Sequence, residues 1–140
     1  MRNDYLGRDN EIKFIKYLEQ KEKSLEWWFK NGEGSKEYFC LKYFNTSKKV
    51  DALFYPDWIL KFKDGKVGLF DTKSGFTAIN TEGRAEGLSA RILQLNKEGG
   101  SFIGGIVVLE NEQWYYNHST KYKYSPGNIN SDWQKLDEIL

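Results

Sequence analysis

Apolar and polar positions follow two periods along the chain, and each change of period marks an element. From Asn10 to Gln20, Ile12, Ile15 and Leu18 recur at helical spacing, which predicts a helix capped by Asn10. Leu25–Phe29 carries Trp27-Trp28 ahead of a turn signal at Asn31-Gly32 and reads as extended. Tyr38–Phe44 reads as a strand. Pro56 opens a long extended segment, Trp58–Lys63, Asp64-Gly65 marks a tight turn, and Lys66–Lys73 returns as a second strand. After a loop, Arg84–Lys97 places Leu88, Ile92 and Leu95 on one helical face, and Gly99-Gly100 stops it. Phe102–Leu109 is short, apolar and rich in β-branched residues, the pattern of a buried strand, with Gln113–Tyr116 as its expected partner. Ser131 is placed to cap a short final helix with Trp133, Leu136 and Ile139 or Leu140 on its inner side.

The order helix, three strands, helix, one or two strands predicts an α/β fold. A strand, a helix and another strand imply a right-handed crossover and a mixed sheet with helices on its faces. Without an internal repeat or a linker rich in Pro or Ser, residues 1–140 read as a single domain. The N-terminal stretch is broken by charges throughout and has no apolar core of the signal-peptide kind. The longest apolar run, Phe102–Leu109, is far short of a membrane span. The expectation is a cytoplasmic protein with no membrane partner.

Composition narrows the chemistry further. The chain has one His, His118, and one Cys, Cys40. A site of two His, or a Cys/His zinc cluster, cannot be built within one such chain. Ser-His-Asp or Cys-His catalysis would rest on His118 alone, and Cys40 has no intrachain disulfide partner. Carboxylates, Lys, Arg and backbone oxygens remain as tools, and oxygen ligands suit a hard cation such as Mg²⁺ or Mn²⁺. The 21 Lys+Arg and 20 Asp+Glu give a net charge of +1, which looks unpromising for a nucleic-acid binder. A site that gathers acids offsets its own basic track, however, so the total says little about the partner.

The informative stretch runs from Tyr55 to Gly75. Asp57, Asp71 and Lys73 lie at the end of a hairpin remote from its turn, and Asp71 and Lys73, two apart on a strand, share a face. Two turns are open to Asp64-Gly65. A two-residue loop pairs Lys63 with Lys66 and sets Asp57 opposite Thr72. A type I turn with Gly65 as a left-handed bulge pairs Phe62 with Lys66 and sets Asp57 opposite Asp71. Only the second gathers Asp57, Asp71 and Lys73 on one surface. Two carboxylates there repel unless a proton or cation joins them. A divalent ion held by Asp57, Asp71 and the Thr72 carbonyl would resolve the conflict, with Lys73 beside it to orient a water or neutralise a phosphate. The plain alternative is a turn-capping Asp and a solvated Asp–Lys pair. Against it, Val67–Phe70 is uncharged and apolar, so the two charges end a buried strand, where sites gather in such sheets.

These residues resemble the PD-(D/E)xK nuclease motif. The pieces Tyr55-Pro56-Asp57-Trp58-Ile59 and Phe70-Asp71-Thr72-Lys73-Ser74-Gly75 are similar to the C-terminal endonuclease domain of type III restriction enzyme Res subunits. The similarity extends upstream through Glu11, Phe14, Tyr17-Leu18-Glu19 and Trp27-Trp28-Phe29-Lys30-Asn31-Gly32, and downstream to Gly104-Gly105-Ile106-Val107-Val108. The resemblance implies a restriction-endonuclease-like mixed central sheet flanked by helices and Mg²⁺-dependent hydrolysis of DNA phosphodiesters. It implies Asp57, Asp71 and the Thr72 carbonyl as metal ligands and Lys73 as the catalytic lysine. Glu11 matches an acid on the first helix that often completes such sites; its ordinary reading is a first-turn acid favoured by the helix dipole. Arg84 falls near a basic position that faces the phosphate. The implied partners are DNA, a helicase or translocase domain and a methyltransferase (modification) subunit. A Res subunit carries a helicase motor, and here Lys73-Ser74 lacks the preceding G-x-x-x-x-G of a phosphate loop. The chain therefore reads as an excised nuclease domain or a small stand-alone relative.

Other features carry plainer readings. Trp27-Trp28 reads as core rather than a base-stacking platform. Lys48-Lys49, Arg84, Arg91, Lys97, Lys121 and Lys123 form either a phosphate track or scattered solvated charge. Tyr115-Tyr116 and Tyr122…Tyr124 read as edge-strand or interface residues, His118 as a surface histidine, and Cys40 as a buried small hydrophobe. Two further functions compete with DNA cleavage. One is a non-catalytic module that keeps the fold and binds DNA or protein. The other is a nuclease acting on RNA or single strands.

Overall fold

The computed structural model describes residues 2–31 and 39–140, with side chains from residue 9 onward. In chain order the elements are α1 (Arg2–Glu19), β1 (Leu25–Lys30), β2 (Leu41–Asn45), β3 (Val50–Phe54), β4 (Trp58–Phe62) and β5 (Val67–Thr72). There follow α2 (Gly75–Ile79), α3 (Glu82–Lys97), β6 (Phe102–Glu110), β7 (Gln113–Asn117), β8 (Trp133–Lys135) and a 3₁₀ turn, Leu136–Glu138. Six strands form one sheet in the order β1-β4-β5-β6-β7-β8, while β2 and β3 form a separate hairpin. β5 and β6 run parallel and the other pairs antiparallel, so the fold is mixed α/β. The parallel pair is joined through α2 and α3, because parallel neighbours need a crossover.

The hairpin β4–β5 takes the bulged turn. Gly65 N–H donates to Phe62 O at 3.0 Å, Phe62 N–H donates to Lys66 O at 2.9 Å, and Gly65 has φ +101°. That backbone region suits glycine, and Asp64 Oδ1 holds the turn by accepting from Lys66 N–H at 3.0 Å. The resulting register sets Lys61 opposite Val67 and Trp58 opposite Phe70. One step further, Asp57 stands opposite Asp71.

Strand alternation then sorts the core. Trp58, Leu60, Phe62 and Phe70 face α1 and pack with Phe14 and Leu18. Ile59 and Leu69 face the other way and pack with Leu88 and Ile92 of α3 and Leu41, Tyr43 and Phe54 of the small hairpin. β5 is therefore covered on both faces, which explains its unbroken apolar run. Each fully buried large side chain contributes about 1.5–3 kcal/mol, and Phe14 adds edge contacts to Trp58 and Trp114 at 5.1 and 4.9 Å. The small hairpin lies tight on α3. A Cβ at Gly87 would fall 2.3 Å from the Tyr43 ring, and one at Gly83 2.3 Å from Asn45 Oδ1.

Several elements depart from the pattern reading. α1 begins at Arg2, so Asn10 is interior rather than a cap, and Ile12 is 47% exposed while Phe14 and Leu18 are fully buried. The core side of α1 is thus rotated from the Ile12–Ile15–Leu18 stripe. The segment after Lys73 holds a short helix, and Val50–Phe54 is a strand. Trp133 starts a strand instead of a helix capped by Ser131, although Trp133 and Leu136 are buried as expected. Cys40 is exposed, not buried. Tyr116, Tyr122 and Tyr124 are buried core residues rather than edge or interface residues. Trp27 is 45% exposed, and only Trp28 packs against the core. Gly32 and Tyr38 lie outside the described residues.

Candidate active site

The strand ends of β4 and β5 bring Asp57, Asp71 and Lys73 together. Asp71, next to the last residue of the covered strand β5, is 0% exposed. Its Oδ1 accepts from the Asp57 backbone N–H at 3.2 Å. Its Oδ2 lies 2.9 Å from Lys73 Nζ and 3.8 Å from Arg84 Nη2. Both contacts to Oδ2 are ion pairs, and among the described residues it has no other donor. The alternation expected for Asp71 and Lys73 is thus observed, and Arg84, from the first turns of α3, reaches the same carboxylate. Arg84 is itself steadied by the Phe54 ring, whose centroid lies 4.5 Å from its guanidinium carbon.

Asp57 sits just ahead of β4, where its carbonyl accepts from Asn31 N–H at 2.7 Å. Burial pushes the Asp57 carboxyl up to about 7; the charge of Asp71 and a side-chain hydrogen bond with Asp71 push the same way. Lys30 and Lys73 oppose the rise. Like-charged carboxylates on a non-hydrogen-bonded cross-strand pair, where side chains approach closest, account for this conflict.

The backbone between these acids is also arranged. Lys73 N–H donates to Val107 O at 3.0 Å. In a trans peptide the Thr72 carbonyl points the opposite way, to the β4 side, where two further steps past the Trp58–Phe70 pair would bring Pro56. Proline has no N–H, so it cannot close that rung of the ladder. The Thr72 side chain turns to the α1 face, where Trp58 Nε1–H donates to its Oγ1 at 3.4 Å.

Glu11 does not join the pair. It lies mid-helix in α1, not in a first turn, and its Oε1 is 3.4 Å from Lys30 Nζ. Lys30 ends β1, opposite Trp58, and its Nζ sits 5.4 Å from the Trp58 ring centroid. It is the site residue that pattern reading missed. A lysine closing the apolar run Trp27–Phe29 is the available signal, but its meaning depends on β1 pairing with β4. Among the described residues, no three of His, Cys, Asp and Glu form a metal-holding group.

Comparison with protein-family models, curated proteins and solved structures gives no match to this chain.

The donor set nonetheless fits a hard divalent cation. Asp57, Asp71 and the Thr72 carbonyl are all oxygen donors, and Mg²⁺ is commonly held by one or two carboxylates with water and substrate phosphate filling the rest. The buried Asp71 carboxylate and the half-buried Asp57 carboxyl, pushed up to about 7, are pressed together in a site where a divalent cation would relieve the repulsion.

Proposed function

We propose that this chain is a metal-dependent nuclease domain of the restriction-endonuclease-like fold, hydrolysing phosphodiester bonds of DNA. The observation that carries the reading is the convergence of Asp57, Asp71 and Lys73 at the end of one hairpin, with Arg84 reaching in from α3. The order of Pro56-Asp57 and Asp71-Thr72-Lys73 on a strand–turn–strand, and its resemblance to the type III Res endonuclease domain, supports it further.

Asp57, Asp71 and the Thr72 carbonyl would hold Mg²⁺ or Mn²⁺. Such an ion supplies Lewis acidity and lowers the pKa of bound water. The chain's own residues do the remaining work. Lys73, held 2.9 Å from Asp71, orients the attacking water and offsets charge that builds on the phosphate. Arg84 faces the same oxygens and offers a forked donor to a phosphate. Asp57 would ligate such an ion as the carboxylate, without its proton. Glu11 acts only through Lys30, which it holds beside Asp57. The partners proposed are DNA and, in a type III restriction setting, a helicase or translocase domain and a modification methyltransferase subunit.

Incubation of the protein with supercoiled plasmid and Mn²⁺ tests the reading. Cleavage that disappears with chelator and in Asp71→Asn is expected. Cleavage that survives Asp71→Asn would remove the site assignment. Parallel single-stranded DNA and RNA substrates decide the substrate class.

A further inference from the structure

A cleft of about 450 Å³ opens between the β2–β3 hairpin and α3, lined in part by Lys42, Phe44, Asp51, Arg91 and Gln94. We infer that it is a subsite for the phosphodiester backbone of nucleic acid, further along the strand from the carboxylate pair. The placement relative to the carboxylates rests on the nuclease reading; the class of ligand does not.

Arg91 lines the cleft, and its Nη1 donates to Gln94 Oε1 at 3.1 Å. The planar fork of donors matches phosphate geometry. Lys42 is paired with Asp51 at 3.5 Å on the surface, a weak contact that a phosphate can displace. Lys48 and Lys49 stand exposed at the tip of the same hairpin. That tip is fixed: Asn45 Oδ1 accepts from Ser47 and Lys48 N–H, each at 3.0 Å, and Lys49 N–H donates to Asn45 O at 2.7 Å. The cleft itself is thus lined by two cations, Lys42 and Arg91, and one carboxylate, Asp51, with Lys48 and Lys49 at the hairpin tip beyond it. Phe44, 51% exposed beside the cleft, offers a flat face to a sugar or base.

The spacing links cleft and acids. Arg84 and Arg91 are seven residues apart on α3, so they share a face and stand about 10.5 Å apart along the axis. Close packing at Gly83 and Gly87 holds the hairpin and α3 in fixed relation, so the spacing is set by the fold.

Fluorescence anisotropy with a labelled DNA duplex in EDTA, across a KCl series, tests the inference without cleavage. Lys42→Gln/Arg91→Gln is expected to weaken binding at least tenfold and to reduce the slope of log affinity against log salt by about two, near 0.9 per lost contact. Lys48→Gln/Lys49→Gln, at fully solvated positions, is expected to act in the same direction and guards against misfolding in the first variant. Lys13→Gln/Lys23→Gln, on the α1 side, is expected to bind as wild type. Equal affinity and slope in both hairpin variants, or no measurable binding by the wild type, overturns the inference. Cleft-dependent binding by a protein that never cleaves DNA would sustain the subsite and remove the catalytic reading. Asp71-dependent cleavage with hairpin-independent binding would do the reverse.

Discussion

Asp57 and Asp71 face each other across the central hairpin, with the Asp57 N–H donating to Asp71 Oδ1 at 3.2 Å. The two side chains share a site that burial and mutual repulsion make poor for two negative charges, and the Asp57 carboxyl is pushed up to about 7. Ion binding at this pair should therefore release a proton below neutrality. Mn²⁺ affinity is expected to rise about tenfold per pH unit up to about pH 7 and then level off. Calorimetry in two buffers of different ionisation enthalpy measures the proton directly; a pH-independent affinity between 5.5 and 7 would contradict it. The same shift acts on the metal-free fold. Between about pH 4 and 7 Asp57 holds its proton when folded and loses it when unfolded. Its contribution is therefore fully present at low pH and is lost as pH rises through about 7. Asp57→Asn is expected to remove that decline, so thermal melts of the two proteins should diverge as pH rises to 8.

Glu11 and the Asp57–Asp71 pair should separate cleanly under mutation. Glu11 is tied to Lys30 at 3.4 Å and stands apart from the carboxylates, whereas Asp71 carries three polar contacts at the strand end. Asp57→Asn, Asp71→Asn and Lys73→Ala are each expected to lower the cleavage rate by about 10²–10⁴. Glu11→Gln is expected to lower it less than tenfold. Single-turnover cleavage rates at saturating Mn²⁺ give the ranking, and an equal loss in Glu11→Gln would place that acid in the site after all.

Much of the site was legible because short-range rules decide it. Asp64-Gly65 has two turn geometries, and the bulge at Gly65 selects the register that carries Asp57 to Asp71. Alternation along β5 did the rest for Lys73. What escaped depends on pairing between distant segments. Lys30 gains its meaning from β1 lying beside β4, and β3 has no Gly or Pro turn before it; Lys49 makes that turn at φ 57°. The spacing of Trp133 and Leu136 suits either a helix or a strand followed by a 3₁₀ turn, so burial was readable there and backbone geometry was not. Tyr122 and Tyr124 are buried by contacts with Trp133, at 5.4 and 5.7 Å between ring centroids, which no local pattern reveals.

Lys30 opposes the rise of the Asp57 carboxyl and is expected to shift the pH dependence of cleavage. Its charge lowers the Asp57 carboxyl against the larger upward push of burial and Asp71. Lys30→Met removes that charge while keeping a long apolar stem over Trp58. Asp57 then ionises at higher pH, so the acid limb of the pH–rate profile is expected to move to higher pH. Cleavage measured from pH 5.5 to 9 reads the shift. A uniform drop in rate with an unmoved limb would show that Lys30 acts on the substrate rather than on Asp57.

Pro56 offers a sharper test of the backbone oxygen. Lys73 N–H is committed to Val107 O, so the Thr72 carbonyl turns to the β4 side, where the register carried two steps past Trp58–Phe70 would set Pro56, which has no N–H. Pro56→Ala supplies that missing donor and allows β4 to extend by one rung. The new hydrogen bond contributes about 0.5–1.5 kcal/mol, which offsets the roughly 0.4–1 kcal/mol that a freer unfolded chain costs. Stability should therefore change little, while the carbonyl is drawn into the sheet and away from a cation. Mn²⁺ affinity is expected to fall severalfold with the melting temperature within a few degrees of wild type. Unchanged affinity in a variant that melts normally would exclude the Thr72 carbonyl as a ligand of the proposed ion.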